Sequence, residues 1–348
     1  MMAEGRRRPR VAITMGDAAG VGPEIIVRAV ADARVREWCV PVVLGDARVL
    51  RQAMEITGTH LLLRNVGAVT EAKGSAGVID CVDYADVDVE HLRPGTIAAS
   101  NGAAAVRYTR DAARLALAGA IDAIVSAPLN KAAMHRAGLR YGGHTEIFAE
   151  EAGSSRCTMI VLLGEMRVML FTNHVPLRRV FDFVTTERIL DKIELANETL
   201  RDLGIARRRI AVAGLNPHAG EEGILGHEER EAVEPAIEMA RAKGIDVVGP
   251  FPPDNVFIKA RDGAFDLTLA LYHDQGLIAA KLLGFGSVVT LLAGLPFVRT
   301  SVGHGTAFDI AGTGRADHHN MIEAIRVAAD IGARRCPGVG CGASGERT

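Results

Sequence analysis

Neither sign of charge is in excess in this chain: 40 Lys and Arg stand against 42 Asp and Glu, a formal charge of −2 over 348 residues. That balance excludes the basic footprint of a nucleic-acid binder and of a protein drawn to anionic membranes. Long apolar runs are missing too. The longest uncharged run, Leu282 to Val298, is bounded by Lys281 and Arg299 and broken by Gly284, Gly286, Gly294 and Pro296, too short and too interrupted to span a bilayer. No signal-peptide pattern is visible. The basic arm of Arg6, Arg7, Arg8 and Arg10, read as a solvated, disordered terminus, is followed only by Val11–Met15 before Gly16 and Asp17 break the apolar stretch. Cysteine is sparse. Cys39, Cys81, Cys157, Cys336 and Cys341 are odd in number, widely spaced and without a CxxC pair, which argues against a disulfide framework and against thiolate ligation of a metal. These absences lead to the expectation of a soluble, cytoplasmic, metabolic protein.

What the chain does have is ordinary globular composition, 48% apolar and 24% charged. Its length exceeds what one ordinary core needs, so two domains or one large α/β unit are expected. Short β-rich apolar runs at 11–15, 41–45, 78–84, 122–127, 158–163, 167–172, 209–215, 246–248, 266–272 and 287–292 alternate with amphipathic stretches at 23–32, 47–57, 102–119, 130–138, 186–203, 227–243 and 320–334. The alternation predicts an α/β fold of mostly parallel sheets covered by helices. No Pro-, Gly- or Ser-rich linker marks a boundary. A break near Asn130 fits the end of an apolar strand, with the part from Gly303 onward rejoining the first domain. The predicted division is 10–130 with 303–335, then 131–302, and a low-complexity tail at 336–348 predicted to be disordered.

Three histidines sit just past the ends of strand-like runs: His174 after Arg167–Asn173, His218 after Arg209–Pro217 and His273 after Asp266–Tyr272. Open α/β sheets place ligands at the carboxyl ends of their strands, and three imidazoles delivered there can converge on one divalent metal. A single histidine in that context is more often structural; the threefold repetition favours the metal. The first strand runs into Gly16-Asp17-Ala18-Ala19-Gly20-Val21-Gly22-Pro23-Glu24 and then a helix. Such a turn aims backbone N–H groups at an anion, although the spacing is not G-x-G-x-x-G and a plain tight turn is the alternative. Gly142-Gly143-His144-Thr145-Glu146 precedes a helix that Thr145 is placed to cap; with His144 it could instead hold a carboxylate or phosphate there. Lys281 and Arg299, downstream of His273 and Asp274, suit anion binding. The segment from His304, through Gly305, Thr306 and Asp309, to Gly312 suits either a loop around adenosine or an irregular loop with a capping Asp. His60, His91, His135, His227, His318 and His319 read as surface or capping residues.

In this order, GDAAGVGPE, GGHTE, TNHVPLR, GLNPHAGEEG, YHDQG, GLPFVRTS and HGTAFDIAG resemble the 4-hydroxythreonine-4-phosphate dehydrogenase (PdxA) family over about residues 11–330. The first and last motifs also resemble their counterparts in isopropylmalate and isocitrate dehydrogenases, which are metal-dependent β-decarboxylating enzymes. The resemblance implies two α/β/α domains around a central cleft, isopropylmalate dehydrogenase-like. The 10–130 and 303–335 part would be the nucleotide-binding domain, and 131–302 the metal, substrate and dimerisation domain. It further implies a homodimer whose metal site takes one of its three ligands from the partner subunit. By motif match, His174, His218 and His273 would ligate the metal, and His144, Thr145, Lys281 and Arg299 would contact the substrate. Gly16, Asp17, His304, Gly305, Thr306 and Asp309 would hold NAD, with NADP as the alternative. One departure bears on the substrate. Thr290 stands where the family has a substrate-contacting Asn, and it is shorter and lacks the amide's donors.

The implied activity is NAD- and metal-dependent oxidation and decarboxylation of an anionic β-hydroxy acid, by default 4-phosphooxy-L-threonine of pyridoxal phosphate biosynthesis. Hydride passes to the nicotinamide and the β-keto acid then loses CO₂. Three imidazoles favour zinc; magnesium, manganese or cobalt would serve with an added carboxylate or water. Lys281 is the candidate for anion binding or proton transfer, and Asp254 and Asp274 for the base or for orienting a metal-bound imidazole. Thr290 keeps two other substrates in play: a 4-phospho sugar acid (threonate or erythronate) and a cis-dihydrodiol carboxylate such as terephthalate dihydrodiol. Two readings from other classes are a non-catalytic metabolite-binding protein, against which the intact histidines speak, and a structural zinc site, for which three ligands are one short.

Overall fold

The computed structural model describes residues 7–284 and 288–335; the expected disordered tail, 336–348, lies outside the described residues, as does Ser287 of the expected 287–292 strand. The strands are β1 (Arg10–Thr14), β2 (Val40–Gly45), β3 (Leu62–Asn65), β4 (Val78–Asp83), β5 (Ala123–Ser126), β6 (Thr158–Leu163), β7 (Met166–Leu170), β8 (Ile210–Ala213), β9 (Val247–Phe251), β10 (Leu267–Ala270), β11 (Val289–Ala293) and β12 (Val298–Val302). They form one continuous sheet of 12 strands in the order β3-β4-β2-β1-β5-β12-β11-β6-β7-β10-β8-β9. The pairings at both ends are parallel; only β12–β11, β11–β6 and β6–β7 are antiparallel. The mostly parallel α/β architecture expected from the alternating pattern is therefore present. Its central strands are buried on both faces, β1, β5 and β12 almost without interruption, as helices on both sides of a parallel sheet require.

The helices are α1 (Gly22–Ala31), α2 (Ala33–Trp38), α3 (Ala47–Thr57), α4 (Ala99–Leu117), α5 (Lys131–Arg136), α6 (His144–Ala152), α7 (Thr186–Asp202), α8 (Glu234–Ala242), α9 (Val256–Arg261), α10 (His273–Gly284) and α11 (His319–Arg335). Local chemistry sets many of their ends. Asp46 accepts the Arg48 N–H at the start of α3, and Gly58 closes that helix in the left-handed conformation at φ 65°. Among the described residues no helix is long and apolar enough to cross a membrane. Of the basic arm, Arg6 lies outside the described residues; Arg7 and Arg10 depart from the expectation of a disordered terminus, because Arg7 pairs with Asp122 at 2.7 Å and Arg10 opens β1. Five elements were not foreseen: β3, β12, α2, α9 and α10.

Candidate active site

β7 and β10 run parallel with Leu170 opposite Ala270, so the segments that follow them meet. The Phe171 N–H donates to the Ala270 carbonyl at 2.8 Å, and Thr172 Oγ1 donates to the Leu271 carbonyl at 2.9 Å. His174 and His273 are thereby delivered to one place, with ring centroids 5.5 Å apart. His273 opens α10 rather than a loop. Buried Gln275 fixes that start: its Oε1 accepts the Leu271 N–H at 2.6 Å, and its Nε2 donates to the Gly214 carbonyl at 2.7 Å. Gly276 lets the helix lie close on the sheet, since a Cβ there would come within 2.8 Å of Val168 and 3.0 Å of Ala270. Asp274 Oδ1 lies 2.7 Å from His273 Nδ1, which leaves Nε2 as the free nitrogen.

His218 follows β8, the strand next to β10. It sits in the turn 217–223, where His218, Ala219, Glu221 and Glu222 all have positive φ. Such conformations cost of order 1 kcal/mol or more each and persist only when the surroundings hold them. Buried Glu229 does so, accepting the Leu215 and Asn216 N–H groups at 2.8 Å each and Asn216 Nδ2 at 2.9 Å. His218 itself is exposed, its Nδ1 3.0 Å from Glu221 Oε2. Within one chain it does not join the other two. The one group of three His, Cys, Asp or Glu residues with ligand atoms within 4.8 Å among the described residues is Asp317, His318 and His319, where Asp317 accepts the His319 N–H at the start of α11. The donor chemistry still fits a divalent metal. Two imidazoles stand together, and both His273 and His218 carry a carboxylate on Nδ1 that frees Nε2 for a ligand bond.

His174 and His273 line a cleft of about 320 Å³ together with His144, Thr145, Lys281, Thr290, Arg299, His304 and Gly305. Lys131 and Glu146 line it as well; neither was singled out in the sequence, although Lys131 follows the end of β5 as the histidines follow theirs. Arg299, on β12, is 4% exposed. Its Nε donates to Ser126 Oγ at 3.2 Å and its guanidinium lies 5.3 Å from the Phe148 ring centroid. Burial pulls its pKa below the usual guanidinium value. His144 stacks on the same Phe148 at 6.2 Å. Burial, and then the Arg299 charge, hold its pKa well below 6.5, so the ring is neutral at pH 7; its Nε2 is buried without a partner. The capping role open to Thr145 is not adopted: α6 starts at His144, its N-cap is Gly143, and no side chain caps it. Thr290 Oγ1 turns back to the Ser301 carbonyl at 3.4 Å.

The expected cofactor residues form a second feature. The Gly16–Gly22 turn packs on the loop from His304 to Gly314: the Val21 N–H donates to the Thr306 carbonyl at 3.0 Å, and a Cβ on Gly20 would lie 3.0 Å from Thr306 Cβ. Buried Glu24 ties the two together, accepting the Gly312 N–H at 2.6 Å and the Gly314 N–H at 2.8 Å, a role the motif gave no hint of. His304 and Gly305 reach the cleft, whereas Gly16, Asp17, Thr306 and Asp309 are not part of its lining. Asp17 Oδ2 and His304 Nε2 are buried without partners, and nothing lies within 4 Å of a Cβ on Gly305, so polar groups and open space are both present for a nucleotide. Asp254 and Asp274 are placed apart from the cleft lining, in a groove of about 500 Å³ with Phe257, Ile258, Ile278, Leu282 and Leu283.

Comparison with known proteins identifies the family. The family described as "Pyridoxal phosphate biosynthetic protein PdxA" matches residues 37–328. A D-threonate 4-phosphate dehydrogenase of Cupriavidus necator is 45% identical over 328 residues, 94% of this chain and 98% of that protein. The crystal structure of a 4-hydroxythreonine-4-phosphate dehydrogenase from Klebsiella pneumoniae is 44% identical with a TM-score of 0.85, over 93% of this chain and 99% of that one. That of a terephthalate 1,2-cis-dihydrodiol dehydrogenase from Burkholderia xenovorans is 33% identical with a TM-score of 0.65, over 93% and 98%. Matches of this extent show that the chain belongs to the PdxA family of dehydrogenases, oxidoreductases acting on a CH–OH group.

Proposed function

We propose that this dehydrogenase oxidises and decarboxylates a four-carbon hydroxy acid carrying a 4-phosphate, using NAD and a divalent metal, with D-threonate 4-phosphate the first substrate to test. The observation that carries the reading is the seat around Arg299: a buried guanidinium with no carboxylate on it among the described residues, neutral His144 beside it, and the N-terminus of α6, which no side chain caps. Free first-turn N–H groups and an unpaired guanidinium together favour a phosphate dianion. The Cupriavidus relative is named for D-threonate 4-phosphate and the Klebsiella structure for 4-hydroxythreonine 4-phosphate, so 4-phosphooxy-L-threonine stays as the second substrate.

His174 and His273 of one chain, with His218 of a second copy, would hold the metal. When bound it supplies Lewis-acid polarisation of the substrate's hydroxyl and carbonyl oxygens, and NAD supplies the hydride acceptor. The protein's own groups do the rest. Arg299, His144 and the start of α6 anchor the phosphate. Asp274 fixes the tautomer and orientation of His273. Lys281 lies two helical turns after His273 on the same face of α10, where it can deliver the proton that replaces CO₂. The same geometry supports a homodimer as part of this reading. Ile258, Ile278, Leu282 and Leu283 are 51%, 59%, 83% and 45% exposed on α9 and α10, an apolar face beside the metal ligands that a second copy would cover.

Reconstituting the protein with zinc, manganese or magnesium and following NADH formation tests the proposal. Rapid turnover is expected with D-threonate 4-phosphate, slower turnover with 4-phosphooxy-L-threonine and none with terephthalate dihydrodiol. Chelation should abolish the reaction and re-addition of metal restore it. Turnover of the dihydrodiol alone would move the enzyme to aromatic acid oxidation, and inertness toward all three would overturn the reading.

A further inference from the structure

Arg299 belongs to β12, but its guanidinium is held by the neighbouring strand. β12 and β5 run parallel, with Arg299 opposite Ile124 and Ser301 opposite Ser126. Residues two apart on a strand share a face, as do partners across strands, so Arg299, Ser301 and Ser126 point the same way. The Arg299 side chain runs along that face to the end of β5, where the Oγ of fully buried Ser126 accepts its Nε–H at 3.2 Å. The Phe148 ring packs against the guanidinium, its centroid 5.3 Å from Cζ.

These are few partners for a buried cation. Among the described residues Ser126 Oγ is the one hydrogen-bond acceptor on the guanidinium, and no carboxylate oxygen lies within 4.0 Å of it. Which nitrogen is engaged decides what remains. A guanidinium can grip an oxyanion side-on, through Nε and one terminal nitrogen, or end-on, through both terminal nitrogens. With Nε given to Ser126, the end-on fork is left, and Arg299 lines the cleft beside His144 and Thr145 at the start of α6. A planar fork of two N–H donors matches two oxygens of a phosphate.

We propose that Ser126 is a positioning residue for the substrate's phosphate: by taking Nε of Arg299 it turns the end-on fork of the guanidinium to the cleft, where it clasps two phosphate oxygens. The assignment rests on the phosphate reading of the cleft and specifies how that group is held. Ser126 acts through Arg299 alone, and the end of β5 is braced without its hydroxyl. Ser301 Oγ donates to the Ser126 carbonyl at 2.9 Å, and the Pro128 carbonyl accepts the Asp17 N–H at 2.9 Å. Ser126→Ala keeps both bonds and removes only the hold on Nε. Arg299→Lys supplies the control background, because lysine has a methylene where arginine has Nε and gives the Ser126 hydroxyl nothing to fix.

Glycerol 3-phosphate, a phosphate ester without a carboxylate, probes the seat by calorimetry on the metal-loaded protein and needs no turnover. Losing a hydrogen bond to a charged group costs about tenfold in affinity. Ser126→Ala should therefore weaken the probe about tenfold in the Arg299 protein and by less than about twofold in the Arg299→Lys protein. With D-threonate 4-phosphate, Ser126→Ala should raise KM about tenfold while kcat stays within about threefold. NAD affinity should not change, whereas a β5 end disturbed as far as Pro128 and Asp17 would lower it. Unchanged probe affinity in Ser126→Ala, an equal loss in the Arg299 and Arg299→Lys backgrounds, or a matching loss of NAD affinity would overturn the assignment and leave the phosphate reading standing. An unaltered protein that binds no glycerol 3-phosphate would overturn the phosphate seat and the assignment together. If Ser126→Ala weakens the probe in the Arg299 background alone yet no phosphorylated acid is turned over, the functional reading fails by itself and the role of Ser126 stands.

Discussion

At Asp17, burial opposes ionisation. The residue is fully buried, one oxygen accepts the Ala19 N–H at 2.9 Å, and the other has no partner. Burial, partly offset by that hydrogen bond, raises its pKa from 3.8 to about 6. Between those values the native state keeps a proton that the unfolded chain has already lost. The contribution of this group to stability therefore falls as pH rises from about 4 to about 6 and is level beyond. Asp17→Asn removes the dependence, so the variant should resist urea better than the parent at pH 7.5, by up to about 3 kcal/mol, and match it near pH 3.5. Urea midpoints at the two pH values check this; an equal gap at both would sink the buried-carboxylate account. The sequence marked Asp17 as part of a glycine-rich turn, but its burial comes from Pro128 and the turn's own fold and could not be read from the motif.

Among the elements, α10 shows most clearly what was legible and what was not. The histidines were found because strand ends in an α/β sheet are where side chains meet, and His174 and His273 do meet. The helix that His273 begins was not foreseen, because Gly276 and a polar start mask it; the glycine is there for contact with Val168 and Leu170. β12 was passed over because Arg299, Thr300 and Ser301 interrupt its apolar pattern, yet all five of its residues are buried, with Thr300 and Ser301 satisfied by the Ala324 and Ser126 carbonyls. Glu24, Glu229 and Gln275 were assigned nothing, since each works on backbone brought near only by the fold. Gln275→Ala should cost about 1–3 kcal/mol, because it frees two buried backbone groups. By loosening His273 it should also weaken metal binding about tenfold or more. Urea unfolding and chelator competition measure the two effects, and a stability loss with unchanged metal affinity would separate the helix anchor from the site.

For the whole molecule, the placement of His218 away from its two companions makes a dimer prediction. His218→Ala and His273→Ala should each be folded and inactive. Unfolded together and refolded as a mixture, they should regain about a quarter of parental turnover, one intact site in half of the dimers. No recovery would mean that each chain supplies all three ligands to its own metal. β12 lies at the middle of the sheet, between β5 and β11, although it is the last strand among the described residues. A growing polypeptide thus makes both flanks of its sheet before the strand that joins them, leaving the edges of β5 and β11 open until residues 298–302 arrive. Open strand edges invite pairing with other chains, so the molecule stays open to aggregation until late in synthesis, and shielding of those two edges bears on its yield until β12 closes them.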